Sequence, residues 1–178
     1  MTRWIALLRG VNVSGKNKVA MAEWKAGLQA MGCENVVTYL NSGNAALDTE
    51  KDREMLAGEI AGMIKERFGL EIPVYVTEQA ELWRLLEQAP AWWGSKDQAI
   101  YDNLIFLLPP CTGEELYAAL GAPHPELEQT FPCGEAVFWS FDRQKYQKTN
   151  WWAKTAQEPI RERITIRTAG TLRKLALL

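Results

Sequence analysis

The chain has 178 residues, 47% hydrophobic and 24% charged, with 20 Lys and Arg set against 22 Asp and Glu for a formal net charge of -2. That balance suits a soluble globular protein with a real core, and it lacks the basic excess of a general nucleic-acid binder, so nucleic acid is not an expected partner. Cys33, Cys111 and Cys133 lie far apart with no paired spacing, which fits a reducing compartment better than a disulfide framework. The N-terminal apolar run from Trp4 to Leu8 is too short for a signal-peptide core, and no later run approaches the roughly 20 apolar residues of a membrane span. A cytoplasmic protein with no membrane partner is expected.

In chain order, a strand is predicted from about Arg3 to Arg9, then a helix whose Met21, Trp24, Leu28 and Met31 follow the three-four spacing, with Gly32 placed to end it. Val36, Val37, Tyr39 and Leu40 form a strand, Asn41-Ser42-Gly43-Asn44 supplies turn chemistry, and Ala45 to Leu47 returns as the partner strand of a hairpin. A second helix runs from about Asp52 to Phe68 on Met55, Leu56, Ile60, Met63 and Ile64. Leu70, Ile72, Val74 and Val76 then alternate, and Pro73 within that run predicts a sheet edge. Thr77 is placed to cap a further helix reaching about Gln88.

This order, βαββαβ and an extra helix, is spelled a second time. A stretch rich in Pro, Trp and Gly, Ala89 to Gln98, separates two units at 1–88 and 99–178. Leu104 to Leu108 is a strand, and Thr112 with Glu115 forms a capping box before a short helix through Leu116, Ala119 and Leu120. Leu127 to Phe131 and Ala136 to Phe141 flank a Pro-Cys-Gly turn. A helix over Tyr146 to Gln157, a strand from Ile164 to Arg167 and a terminal helix from about Thr168 complete the expectation. The fold class is α+β, with two tandem units each carrying an extra C-terminal helix. One difference between the copies isolates a candidate site: the first strand-helix connection, Gly10 to Ala20, is longer than its counterpart, Pro109 to Gly113.

That connection also concentrates charge. Arg3, Arg9, Lys16 and Lys18 all precede the first acid, Glu23, and backbone amides freed by Gly10 and Gly15 near a helix N-terminus favour a bound anion. Gly10 to Asn17 nearly matches the phosphate-binding pattern GxxxxGK[ST], but Asn17 stands where a magnesium-binding hydroxyl belongs. Nucleotide hydrolysis is therefore not expected, and the loop is either an anion site or a structural glycine turn. Ser42 and Asn44 join the site only if their turn lies beside the loop, and otherwise the turn serves its own backbone. The candidate ligand-binding residues are Arg9, Gly10, Asn12, Gly15, Lys16, Lys18, Ser42 and Asn44.

His124 stands between Pro123 and Pro125 as a surface-loop residue, and no HExxH or CxxC spacing occurs, so neither a metal nor a cofactor is expected. No nucleophile signature appears, and catalytic carboxylates leave none, so whether the chain is an enzyme stays open. Lys148 and Arg167 are expected to be solvated cations. Trp92-Trp93 and Trp151-Trp152 either straddle a core edge with one ring half exposed, or line a partner surface.

Arg9-Gly10-Val11-Asn12-Val13, Asn17-Lys18-Val19, Met21, Thr38-Tyr39-Leu40 and Ser42-Gly43-Asn44 resemble a bacterial family of uncharacterised proteins catalogued as domain of unknown function 1697. The resemblance covers nearly the whole chain. It implies two tandem ferredoxin-like α+β units and no established activity. Near the C-terminus the family often shows a segment resembling TTRNWNTVxKL. Arg167, Thr171, Lys174 and Leu175 match it, while Thr168-Ala169-Gly170 replaces its Asn-Trp-Asn. Two functional expectations follow: a module binding a small anion or phosphorylated ligand at the opening loop, or an interaction protein or homodimer using sheet edges and the Trp pairs.

Overall fold

The computed structural model describes residues 1–178, which divide into two compact units: Met1–Arg84 with Lys174–Leu178, and Leu85–Arg173. The class is mixed α+β, with two four-stranded antiparallel sheets and several helices, consistent with two similar units. No helix is long and apolar enough to cross a membrane.

In the first unit, strand β1 (Thr2–Leu8) carries the run Trp-Ile-Ala-Leu-Leu and takes an inner position, because apolar residues on both faces of a strand require cover on both faces. With β2 (Glu34–Thr38), β3 (Asn44–Thr49) and β4 (Val74–Glu78) it forms a sheet of order β2-β3-β1-β4. The register sets Ile5 opposite Ala46 on one side and Thr77 on the other. Helices α1 (Met21–Ala30) and α2 (Arg53–Phe68) bury Trp24, Leu28, Leu56, Ile60 and Ile64 on Trp4, Ala6, Leu8, Ala45 and Leu47. Asp52 starts α2 by accepting a hydrogen bond from the Met55 amide at 2.8 Å, and left-handed Gly69 ends it.

Two local expectations change at β4. Pro73 precedes the strand instead of lying within it, and its carbonyl accepts the Arg9 amide at 3.1 Å. The strand is nonetheless an edge. Thr77 is paired with β1 and lies in the strand, so it does not cap helix α3 (Gln79–Glu87), which follows without a loop. The C-terminal residues close on this unit: Gln79 donates to the Leu175 carbonyl at 3.0 Å, Trp83 to Ala176 at 2.8 Å and Arg3 to Leu178 at 2.7 Å.

In the second unit, β5 (Ile100–Leu107), β6 (Glu128–Cys133), β7 (Ala136–Asp142) and β8 (Ile164–Thr168) form a sheet of order β6-β7-β5-β8. Helix α4 (Gly113–Leu120) begins with the expected box. The Thr112 hydroxyl accepts the Glu115 amide, and the Glu115 carboxylate accepts the Thr112 amide at 2.8 Å. Helix α5 (Ala169–Leu175) follows β8. Residues 89–98 contain no helix or strand, yet Trp93 is buried there and donates to the Asn103 carbonyl at 2.8 Å.

The helix expected over Tyr146 to Gln157 is absent. In its place are two short 3-10 turns, Arg143–Lys148 and Lys154–Ala156, and a third, Ile160–Arg163, follows before β8. The cause is a competing acceptor. The buried Glu128 carboxylate takes the Asn150 amide at 2.7 Å and the Trp151 amide at 3.2 Å, two donors a continuous helix would need for itself. Trp151, fully buried, also ties its indole N–H to the Gly121 carbonyl at 2.9 Å. Each Trp pair thus divides into one buried ring, Trp93 or Trp151, and one more exposed ring.

Candidate functional site

The loop between β1 and α1 is a small hairpin of its own. The Asn12 amide donates to the Asn17 carbonyl at 3.0 Å, the Lys16 amide donates to Val13 at 2.9 Å, and Val13 and Lys16 form an isolated bridge. Gly10, Asn12, Ser14, Gly15 and Asn17 all take positive φ. A left-handed Asn or Gly is common in tight turns, but five such residues within eight specify one narrow loop shape.

Asn12 fixes that shape. Its side-chain oxygen accepts the Val19 amide at 2.9 Å, and its amide group donates to the carbonyls of Val19 at 2.9 Å and Asn41 at 2.7 Å. The Asn41–Asn44 turn therefore lies beside the loop, as a shared site requires. The backbones also approach closely: a Cβ on Gly43 would sit 2.6 Å from the Leu8 Cβ and 2.9 Å from the Val11 Cγ2. The fully buried Asn44 donates to the Tyr39 carbonyl at 2.9 Å and the Ser42 hydroxyl at 2.8 Å. Asn12 and Asn44 thus hold backbone in place, while Ser42 is exposed at the surface of the turn.

Lys16 and Lys18 are exposed and make no ion pair, and Arg9 is half-buried at the foot of the loop. The Ser14, Gly15, Asn17 and Lys18 amides have no partner within the protein. Helix α1 follows Ala20 with no side-chain cap, unlike α2 and α4, so its first amides lack a side-chain acceptor. The loop does not curl as a phosphate-cradling P-loop would, because the Asn12 and Lys16 amides are bonded across the hairpin.

A model of the family described as protein of unknown function (DUF1697) matches residues 1–138. The chain belongs to this family. The DUF1697 match takes in all of β1 to α3, the opening loop included, and reaches into β7. Among solved structures, a conserved bacterial protein from Streptococcus pneumoniae is similar over 99% of this chain and 97% of its own, at 29% identity and a TM-score of 0.86. No curated protein matches the chain.

Elsewhere in this DUF1697 chain several titratable groups are buried or bonded within the fold. Burial pushes the Cys33 and Cys111 thiols up from their ordinary value, which keeps them protonated and poorly nucleophilic. No cluster of three or more His, Cys, Asp or Glu is arranged to hold a metal. His124 is half-buried, and its Nδ1 accepts the Glu126 amide at 3.2 Å. Arg167 corrects its expectation. It lies in β8 opposite Leu104, is only 8% exposed and donates to the Thr165 hydroxyl at 2.8 Å, and burial pushes its pKa down to about 10. Sequence reasoning also missed Leu40, which is 55% exposed with a positive φ of 57° beside Asn41. Such a conformation is strained for a bulky residue, and no composition signal announces it.

Proposed function

We propose that the first unit is a binding module for a small anion or phosphorylated ligand, taken at the loop between β1 and α1. The observation that carries this reading is the pairing of two exposed, unpaired lysines with an uncapped helix start on a loop that Asn12 holds in one shape. Anions gain from helix N-terminal amides and from cations carried on a backbone that is already fixed, because less ordering cost remains to be met on binding. Gly15 keeps the tip open, Arg9 and Ser42 flank it, and Gly10 shapes its base. Glu23 lies in the first turn of α1, and a bound anion must outcompete it for the helix end.

The strand order β2-β3-β1-β4, with a helix crossing between β1 and β2, supports reading each unit as ferredoxin-like. The three free cysteines support a reducing, cytoplasmic setting.

The test is calorimetric titration with pyrophosphate. Lys16→Ala combined with Lys18→Ala weakens binding at least tenfold, about 1.4 kcal/mol, while unfolding stability stays within about 0.5 kcal/mol, as expected for exposed positions. Equal affinity in the wild type and the double variant rejects the site.

A further inference from the structure

The second unit carries a cationic aromatic segment of its own. Residues 143–157 contain Arg143, Lys145, Lys148 and Lys154 and no acid, within a chain whose overall balance is slightly negative. The replacement of a helix by short 3-10 turns puts Trp152 at the surface, 39% exposed, while its ring packs on Tyr146 at 5.0 Å and Phe141 at 5.7 Å. The ring is thus held by neighbouring aromatics while part of it reaches solvent. Arg143 lies over Tyr101 at 4.6 Å. Lys145 and Lys148 are exposed and make no ion pair, whereas Lys154 is tied to the Leu120 carbonyl at 3.0 Å.

We propose that this face of the second unit binds single-stranded nucleic acid, with an unpaired base stacking on Trp152 and backbone phosphates meeting Arg143, Lys145 and Lys148. The argument is charge complementarity joined to a braced aromatic platform. Stacking accepts any base through its π-face, and clustered cations follow a phosphodiester backbone. A neutral carbohydrate would use the ring and leave the cations idle. A duplex has its bases already stacked and cannot offer one to Trp152. Three carboxylates oppose these cations: Glu128, buried and taken up by four protein donors that include the Asn150 and Trp151 amides, Asp142, engaged by the Gln144 amide at 2.9 Å, and Glu126, and all three share with Lys145 the lining of a cleft of about 380 Å³. The net charge of -2 limits the contact to this face and does not oppose it locally, since salt screens exposed charges beyond a Debye length of about 10 Å.

Fluorescence anisotropy of labelled oligouridylate and oligodeoxythymidylate, about 12 nucleotides long, tests this with the full chain. Saturable binding is expected with a Kd between about 1 and 100 μM, and three phosphate contacts give a log-log salt slope near -2. Lys145→Glu with Lys148→Glu weakens binding at least tenfold. Trp152→Ala weakens it about tenfold as well, while Trp152→Phe, which keeps the packing and an aromatic face, stays within about threefold of wild type. Lys16→Ala with Lys18→Ala lowers oligonucleotide affinity less than Lys145→Glu with Lys148→Glu does, and the binding that remains is still lost in Trp152→Ala, which separates this surface from the anion loop. No binding at low salt, duplex bound as tightly as single strand, or affinity that ignores both second-unit variants overturns the proposal.

Discussion

Glu128→Ala destabilises the second unit by about 3–5 kcal/mol, the cost of leaving several hydrogen-bond donors without their acceptor. Glu128 is 4% exposed and sits at the start of edge strand β6. One carboxylate oxygen accepts the Trp139 indole N–H at 3.1 Å and the Trp151 amide at 3.2 Å, and the other accepts the His124 and Asn150 amides, both at 2.7 Å. Truncation leaves four donors without their acceptor, and those on Trp139 and Trp151 lie inside the protein. Three of them are backbone amides that cannot turn away, and each unsatisfied buried group costs about 1–3 kcal/mol. Glu128→Gln keeps the volume but points an NH2 group at two of these donors, so it falls between wild type and alanine. Urea unfolding followed by tryptophan fluorescence measures this, since Trp139 and Trp151 lie against the carboxylate. A loss below about 1 kcal/mol for the alanine variant, the size of an ordinary single hydrogen bond, would show that the network does not organise the segment.

Gly43→Ala costs the first unit about 2–4 kcal/mol by combining a left-handed backbone with overpacking. Gly43 has a φ of 84°, and the added methyl meets the Leu8 Cβ at 2.6 Å and the Val11 Cγ2 at 2.9 Å. The Leu8 Cβ belongs to an inner strand and cannot retreat, so the turn carrying Asn41 must lift away from the loop. Gly10→Ala supplies the comparison. Its φ is 67° but nothing lies within 4 Å of its Cβ position, leaving only the backbone term of about 1 kcal/mol. Thermal unfolding of the two variants separates close approach from conformational strain. Equal losses at both positions would mean that the turn and the loop do not depend on each other.

Much of the architecture was legible from periodicity and capping chemistry. The Trp4–Leu8 run, the Leu56-Ile60-Ile64 face and the Thr112–Glu115 box each specify structure within a few residues of themselves. The segment after β7 was not, because what interrupts its helix is a carboxylate 22 residues earlier in the chain, and helix propensity carries no record of so distant an acceptor. Arg167 was misread for a related reason: an arginine at an alternating strand position is solvated or buried according to what covers that face of the sheet. The candidate site was legible as a cluster of glycine and charge, but not as a shape. The Asn12 bonds to Val19 and Asn41 appear only once two connections distant in sequence are folded together.

An amide chemical-shift titration with pyrophosphate tests the central claim most directly, that this braced basic loop holds an anion. Saturable shifts confined to Gly15 through Trp24 and the Ser42 turn, and abolished by Lys16→Ala with Lys18→Ala, are the expected result. Shifts spread evenly over exposed lysines, or centred anywhere outside the loop and the start of α1, would contradict it.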